Sequence, residues 1–292
     1  MHALILGIGF GIVTAAVLAI STVALSLQFS VTNFPNFSHG EFMTIGAYSS
    51  YSAYQATHSA IVACVVAMAV GAILGVGVNM LLLAPFGRKN TASLTLFVVT
   101  IGLSLILQNA VLWRYGGSSL RLQIEPGLPH HILGFELTTA QLIIIGGAVL
   151  SMAGVHVLLK YTVFGRAQRA VAESPMLAEA SGIKSGRVIN LTWLLTGALT
   201  GLAGFVLALT TGSLTPVMGF SFLLVVFASA ILGGIGHPYG SMAGAVAVGL
   251  AMEVSATYIP SDYKTVVAFV ILIAVLLVRP QGLVPSKRLA AA

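Results

Sequence analysis

Charge is what this sequence has least of. Only 7% of its 292 residues are Asp, Glu, Lys or Arg, while 58% are hydrophobic; soluble domains carry about 25% charged residues. Seven acids and thirteen Lys/Arg cannot cover the surface of a 30.2 kDa soluble protein, so a water-soluble globule is excluded and lipid is the solvent. Cysteine is nearly absent too. Cys64 stands alone inside an apolar run, which excludes a disulfide framework and a Cys-based metal site. The histidines, His2, His39, His58, His130, His131, His156 and His237, form no H-E-x-x-H and only one adjacent pair, so no metal is expected. A phosphate loop of the form G-x-x-x-x-G-K-S/T is missing: Gly182-Ile183-Lys184-Ser185 lacks Gly directly before Lys, so this chain does not hydrolyse ATP by that route. No catalytic Ser/His/Asp arrangement is visible, and no chain of acids crosses the apolar segments to relay protons. The first twenty residues lack the basic start of a cleavable signal peptide, and their apolar run outlasts the usual core of about 7–15 residues; they read as a retained first span.

What is present is apolar length. Stretches close to or above the roughly 20 residues that cross a bilayer lie near 3–28, 59–84, 92–113, 139–159, 188–211 and 262–278, with shorter or more polar candidates near 39–56, 219–235 and 241–258. The expected fold is all-α, a polytopic transmembrane helical bundle of about eight or nine membrane segments, some short or re-entrant, because open strand edges are not satisfied in lipid. Residues 1–292 read as a single transmembrane domain. The spacings G71-x-x-x-G75, G197-x-x-x-G201 and G240-x-x-x-G244 suit close helix approach, although chance also produces such spacings in glycine-rich spans. Arg88, Lys89, Lys160, Arg166, Arg169, Lys184, Arg187, Arg279, Lys287 and Arg288, ten of the thirteen basic residues, fall on one side of these spans, which is then cytoplasmic. The net charge of +6 therefore reports topology rather than nucleic-acid binding. A full span at 39–56 would put the N-terminus outside; a re-entrant one would put it inside.

Residues 160–187 form the one extended polar insertion on the cytoplasmic side. Ser174 suits an N-cap, Pro175 the first helical position, Met176 to Ser181 a short helix and Gly182 its left-handed close. Upstream, Arg166 to Glu173 suggests a second helical piece with Arg169 and Glu173 at i, i+4. The insertion is either a solvated connector or a docking knob, and Met176, Leu177 and Ile183, apolar in a polar loop, favour docking.

The wording FGRAQRAVAESPMLAEASGIKSGRV resembles the coupling helix of the LivH/LivM family of ABC importer permeases, which moves branched-chain amino acids and, in related branches, urea or amides. VTNFPNFSHGEFMTIGAY (31–48), TIGLSLILQNAVLWRYG (100–116), ILGGIGHPYGSMAGAVAVG (231–249) and RPQGL (279–283) resemble the same family in the same order, and the N-F-x-H-G-E-F wording is similar to the LivH-type subunit. His237, followed by Pro238, stands where the family commonly has serine.

The resemblance implies a permease subunit of an ATP-binding cassette importer in a bacterial inner membrane, multi-pass, with its C-terminus cytoplasmic. It also implies a second homologous LivM-like permease, two LivG/LivF-like ATPase subunits and a periplasmic or extracellular binding protein. No cofactor is expected on this chain; ATP and Mg would be used by the ATPases. Residues Arg166, Arg169, Glu173, Ser174, Pro175, Met176, Leu177, Gly182 and Ile183 are the candidates for ATPase coupling.

A weakly polar path is expected beside this lever. Ser93, Thr100, Ser104 and Gln108 share one helical face, which either packs on a neighbour or lines the route. Gln28, Asn33 and Asn36 flank a break around Pro35. Glu41 closes an S-x-x-E capping box with Ser38, with contact to substrate or gate as the alternative, and Glu253 is expected to pair structurally near the outer interface. Branched-chain or other hydrophobic and neutral amino acids are the expected cargo. The alternatives are urea or short amides in the same importer class, a stand-alone channel for a small neutral solute, which lacks the paired N-P-A of aquaporins, and an ion-coupled carrier.

Overall fold

A segment that is apolar on every side satisfies its backbone only by closing hydrogen bonds within itself, so each long run becomes a helix. In the computed structural model, which describes residues 2–87, 93–124, 127–132, 135–279 and 282–284, all nine apolar segments are helical. They are α1 (His2–Thr32), α2 (His39–Thr57), α3 (Ala60–Val78), continued through a π-helical turn (Asn79–Leu83) into α4 (Ala84–Gly87), α5 (Ser93–Tyr115) and α6 (Thr139–Tyr161). Two short helices follow, α7 (Val163–Glu173) and α8 (Pro175–Ala180), and then α9 (Ser185–Thr211), α10 (Met218–Gly233), α11 (Pro238–Ser255) and α12 (Lys264–Val278).

Among the described residues, six helical stretches are long and apolar enough to cross a bilayer, and a seventh results if α10 and α11, bent by 120° at their break, are counted as one. This is fewer than the eight or nine expected. The difference lies in α2, rich in Ser, Thr and Tyr, and in α10 and α11, neither of which qualifies alone.

Most long helices end where the sequence punctuates them. Ser59 accepts the amide of Val62 at the start of α3, Thr138 and Gln141 form a reciprocal capping box on α6, and Gly212 closes α9 at φ 66°. Before α11, Pro238 occupies the first turn and the Gly240 amide donates to Nδ1 of His237 at 3.2 Å. The imidazole thus accepts the bond that a capping serine would accept. Two antiparallel strand pairs lie outside the helical reading: β1 (Leu120–Arg121) with β4 (Ser213–Leu214), and β2 (Pro129–Ile132) with β3 (Phe135–Thr138). They mark one end of the bundle, the hairpin face; α7 and α8 mark the other, the loop face. The start of α1 belongs to the hairpin face, where Gly9 adjoins Phe135 and Leu137, so the two ends of the first span are placed relative to the loop.

The centre is built on α1 and α9. All three small-residue spacings are used. Gly71 and Gly75 of α3 meet Gly197, Gly201 and the Trp193 carbonyl of α9, and Gly240 and Gly244 of α11 meet Gly233 and Ser229 of α10. A Cβ on Gly75 would stand 2.6 Å from the Trp193 oxygen, and one on Gly249 would stand 2.6 Å from the Ala15 backbone of α1. The helices touch backbone to backbone, which small residues alone permit. On the loop face, beyond α12, the amides of Leu283 and Val284 donate to the carbonyls of Leu232 and Gly233 at 2.8 and 3.2 Å. This ties the segment after the last span to the end of α10. Large apolar side chains on α3, α5, α6 and α12, such as Ile61, Trp113, Leu150 and Leu277, face outward, as a lipid-facing surface requires.

Candidate functional site

The chain folds back into the bundle after α1. Asn33 takes a left-handed φ of 58°, and the next residues climb so that α2 begins at mid-depth rather than at a face. Three neighbours fix that depth. Glu41 lies against Ser104, the central residue of α5, and His39 lies between Ser21 of α1 and Thr200 of α9, both near the middle of their helices. The Phe37 amide donates to Thr100 Oγ1 at 3.2 Å, and its ring packs on Phe97 and Phe227 at 5.0 and 5.2 Å between centroids.

The start of α10 arrives at the same level from the hairpin face. The Gly219 amide donates to Thr44 Oγ1 at 3.1 Å, and a Cβ on Gly40 would lie 2.6 Å from the Gly219 carbonyl oxygen. Two helices that each occupy part of the depth, α2 running toward the hairpin face and α10 toward the loop face, therefore meet N-terminus to N-terminus. Each end brings amides that have no partner within their own helix, some of them taken up by Thr44, Thr100 and Asn36, and a partial positive charge.

The capping box expected at Ser38 and Glu41 is not formed. Ser38 has helical dihedrals and makes no side-chain cap; its hydroxyl and amide both donate to Asn36 Oδ1, at 2.6 and 3.0 Å. Glu41 is fully buried, with Oε1 accepting from Ser104 at 3.3 Å and Oε2 without a partner among the described residues. Asn36 in turn donates to Gln28 Oε1 at 3.1 Å, so Gln28 and Asn36 brace the fold-back. Asn33 stands apart from them, exposed on the loop face. Of the polar face of α5, Thr100 and Ser104 are buried against the start of α2, Gln108 is half-buried and Ser93 is exposed. Sequence reasoning missed Phe37, Thr44 and Gly219 at this junction; the Gly and Thr signals are too common to have found them.

On the loop face the predicted punctuation is in place. Ser174 Oγ accepts the Leu177 amide at 3.3 Å, Pro175 opens α8, and Gly182 follows it at φ 84°. Met176 and Leu177 are 82% and 70% exposed. Ile183 is not: it is half-buried against Val171, Ala178 and Val188, the small core that seats α8. Arg169 and Glu173 form no ion pair; the Arg169 guanidinium donates to the Leu159 carbonyl at the end of α6, because α7 packs back on α6. Ser185 Oγ donates to the Pro175 carbonyl at 3.3 Å, which links α8 to the first residue of α9. Arg166 is exposed. Arg88, Lys89, Lys287 and Arg288, counted in the charge pattern, lie outside the described residues.

Glu253, on the hairpin face, is paired as expected. Lys264 Nζ lies 2.6 Å from its Oε2, and Thr14 donates to its Oε1 at 2.9 Å.

Comparison with known proteins gives a consistent picture. The family described as branched-chain amino acid transport system, permease component, matches residues 7–276. The chain is 31% identical over 290 residues to the high-affinity branched-chain amino acid transport system permease protein LivH of Escherichia coli K12, covering 94% of this chain and 92% of that one. It is 29% identical over 289 residues to the corresponding permease BraD of Pseudomonas aeruginosa, with 94% and 93% covered. Identity is 28% over 288 residues to the probable branched-chain amino acid transport permease LivH of Methanocaldococcus jannaschii, with 93% and 90% covered. No solved structure matches.

Proposed function

Because the chain belongs to the family of branched-chain amino acid transport system permease components, we propose that it is the LivH-type membrane subunit of an ATP-binding cassette importer for branched-chain or other apolar, neutral amino acids. The reading rests on the exposed Met176 and Leu177 pair, held on a helix that is capped, seated on its own small core and bonded to α9. Such a helix offers an apolar grip to another protein and passes displacement to the bundle. With no phosphate loop in the chain, ATP and Mg belong to two partner ATPases of the LivG/LivF kind, and this subunit binds no cofactor. A second, LivM-like permease and an external binding protein complete the importer. Lys160, Arg166, Arg169, Lys184, Arg187 and Arg279 mark the loop face as cytoplasmic, and the C-terminus lies there too.

In this mechanism closure of the ATPase dimer pushes α8, and Ser185 carries the push into α9. Through its backbone contacts with α3 and its neighbour His39, α9 moves the junction where α2 and α10 meet. Helices interrupted at mid-depth are a general way to build a transport site, since their free ends face the passing solute. Glu41, Thr100, Ser104 and Gln108 border that junction, with Gln28 and Asn36 bracing it and Asn33 at its loop-face entrance; together they form the proposed path.

The test is Met176→Asp with Leu177→Asp. The double variant is expected to insert normally but to lose ATP-driven uptake and to release the ATPase on purification. If uptake and co-purification both survive, α8 is not the coupling element; flux through this chain alone in liposomes would favour a channel instead.

A further inference from the structure

On the loop face, one helix start depends on an imidazole. The Gly240 amide, in the first turn of α11, donates to Nδ1 of His237 at 3.2 Å. A main-chain amide only donates, so Nδ1 must keep its lone pair, which a neutral imidazole offers and an imidazolium does not. The neighbouring His156 differs. Its Nδ1 lies 2.9 Å from the Tyr239 hydroxyl, which donates or accepts, so that contact survives in either charge state of the ring. His237 is half-buried on the wall of a cavity of about 1040 Å³ that opens on the loop face between the end of α1, the end of α6, α7 and the turn joining α10 to α11, so solvent on that face reaches it. A charge on the ring would stand at the positive end of α11 and share the lining with Lys160 of α6 and Arg169 of α7. His156, Tyr239 and Glu173 are the other titratable groups among the described residues of that lining, and α1 adds none.

The turn that this ring closes is held on several sides. The Gly236 amide donates to Ser26 Oγ of α1 at 3.0 Å, the His237 amide donates to the Gly234 carbonyl at 3.1 Å, and Gly240 meets Gly233 of α10 backbone to backbone. From this turn α10 runs to the mid-depth junction, where Gly219 meets Gly40 and Thr44. Loosening the first turn of α11 therefore frees the loop-face end of a helix whose other end borders the proposed path. We propose that His237 is a proton-sensitive latch on the α10–α11 turn: the neutral ring caps α11 and holds the turn in place, and a proton arriving from the loop face uncaps it and slows transport. Falling pH removes the cap and rising pH restores it. The effect on transport rests on the function proposed above; the latch itself does not. A serine in this place caps a helix without titrating.

The test compares wild type with His237→Ser and His156→Gln. The assembled importer is placed in proteoliposomes with L-leucine outside and with ATP and Mg in the lumen, on the loop-face side. The lumen is acidified from about pH 7.5 to about pH 5.5, across the range in which imidazole titrates. The initial rate should fall roughly threefold or more in wild type and in His156→Gln, relative to His237→Ser. Acid sensitivity of the ATPases is common to all three and cancels. Melting of the purified chains in detergent is the second readout: over the same pH step wild type should lose about 2–4 °C more than His237→Ser. Equal acid sensitivity of wild type and His237→Ser in either readout overturns the latch. So does loss of the effect in His156→Gln, which assigns it to the other ring. Absence of leucine uptake at both pH values overturns the transport reading instead, and the melting comparison then decides the latch alone.

Discussion

Two glycines of α3, only two residues apart, should respond to the same substitution with opposite signs. A Cβ on Gly75 would lie 2.6 Å from the Trp193 carbonyl oxygen of α9, whereas one on Gly77 would meet nothing within 4 Å. Ordinary contact begins near 3.4 Å, so Gly75→Ala forces the helices apart by roughly 0.8 Å, at a cost of about 1–3 kcal/mol for a packed interior. The obstacle is a main-chain carbonyl in the middle of a helix, which has no rotamer to move away. Against this stands the gain of about 0.5–1 kcal/mol that alanine brings to a helix interior, which leaves Gly75→Ala net destabilised. At Gly77 only the gain remains. Thermal unfolding of the two purified variants in the same detergent, followed through the fluorescence of buried Trp193, is the assay; Gly75→Ala should melt below wild type and Gly77→Ala at or above it. If Gly75→Ala melts as late as Gly77→Ala, backbone contact does not hold α3 to α9, and the seam has been misread.

Other expectations concern charge in the bundle. Glu41→Gln preserves the shape and the bond from Ser104, so protein level and melting should stay near wild type while uptake falls about tenfold, the equivalent of about 1.4 kcal/mol; wild-type uptake would make Glu41 a structural group only. Glu253→Gln removes the partner of a half-exposed lysine, and since exposed pairs contribute about 0–1 kcal/mol and buried ones lose about 3–5 when broken, a loss of about 1–2 kcal/mol is expected. A double-mutant cycle with Lys264→Met measures it, and a coupling of zero would show that the contact does not matter.

The sequence exposed what is local. Runs of apolar residues located the helices because nothing but a helix serves in lipid, and Ser174, Pro175 and Gly182 located α8 because capping acts within a few residues. Glu41 was misread for the same reason: the S-x-x-E spacing is a local cue, but Ser38 is taken by Asn36 and the carboxylate turns to Ser104, 63 positions along the chain. Ile183 looked exposed beside Met176 and Leu177, yet it seats the helix on which they stand. A window of hydropathy does not distinguish a helix that starts at mid-depth from one that starts at a face, so the meeting of α2 and α10 was invisible, and the cavity assembled from four distant segments equally so.

The bonds from Leu283 and Val284 to the end of α10 set an order of events during synthesis. A chain emerges N-terminus first and folds as it goes, so α10 is made some fifty residues before the segment that secures it. Until that segment arrives, the Leu232 and Gly233 carbonyls lack those bonds, and the end of α10 is held only by its packing on α11 and α1. Residues 282–284 then act as a late stitch: a chain that stops short of them has every helix in place and its last seam unsewn.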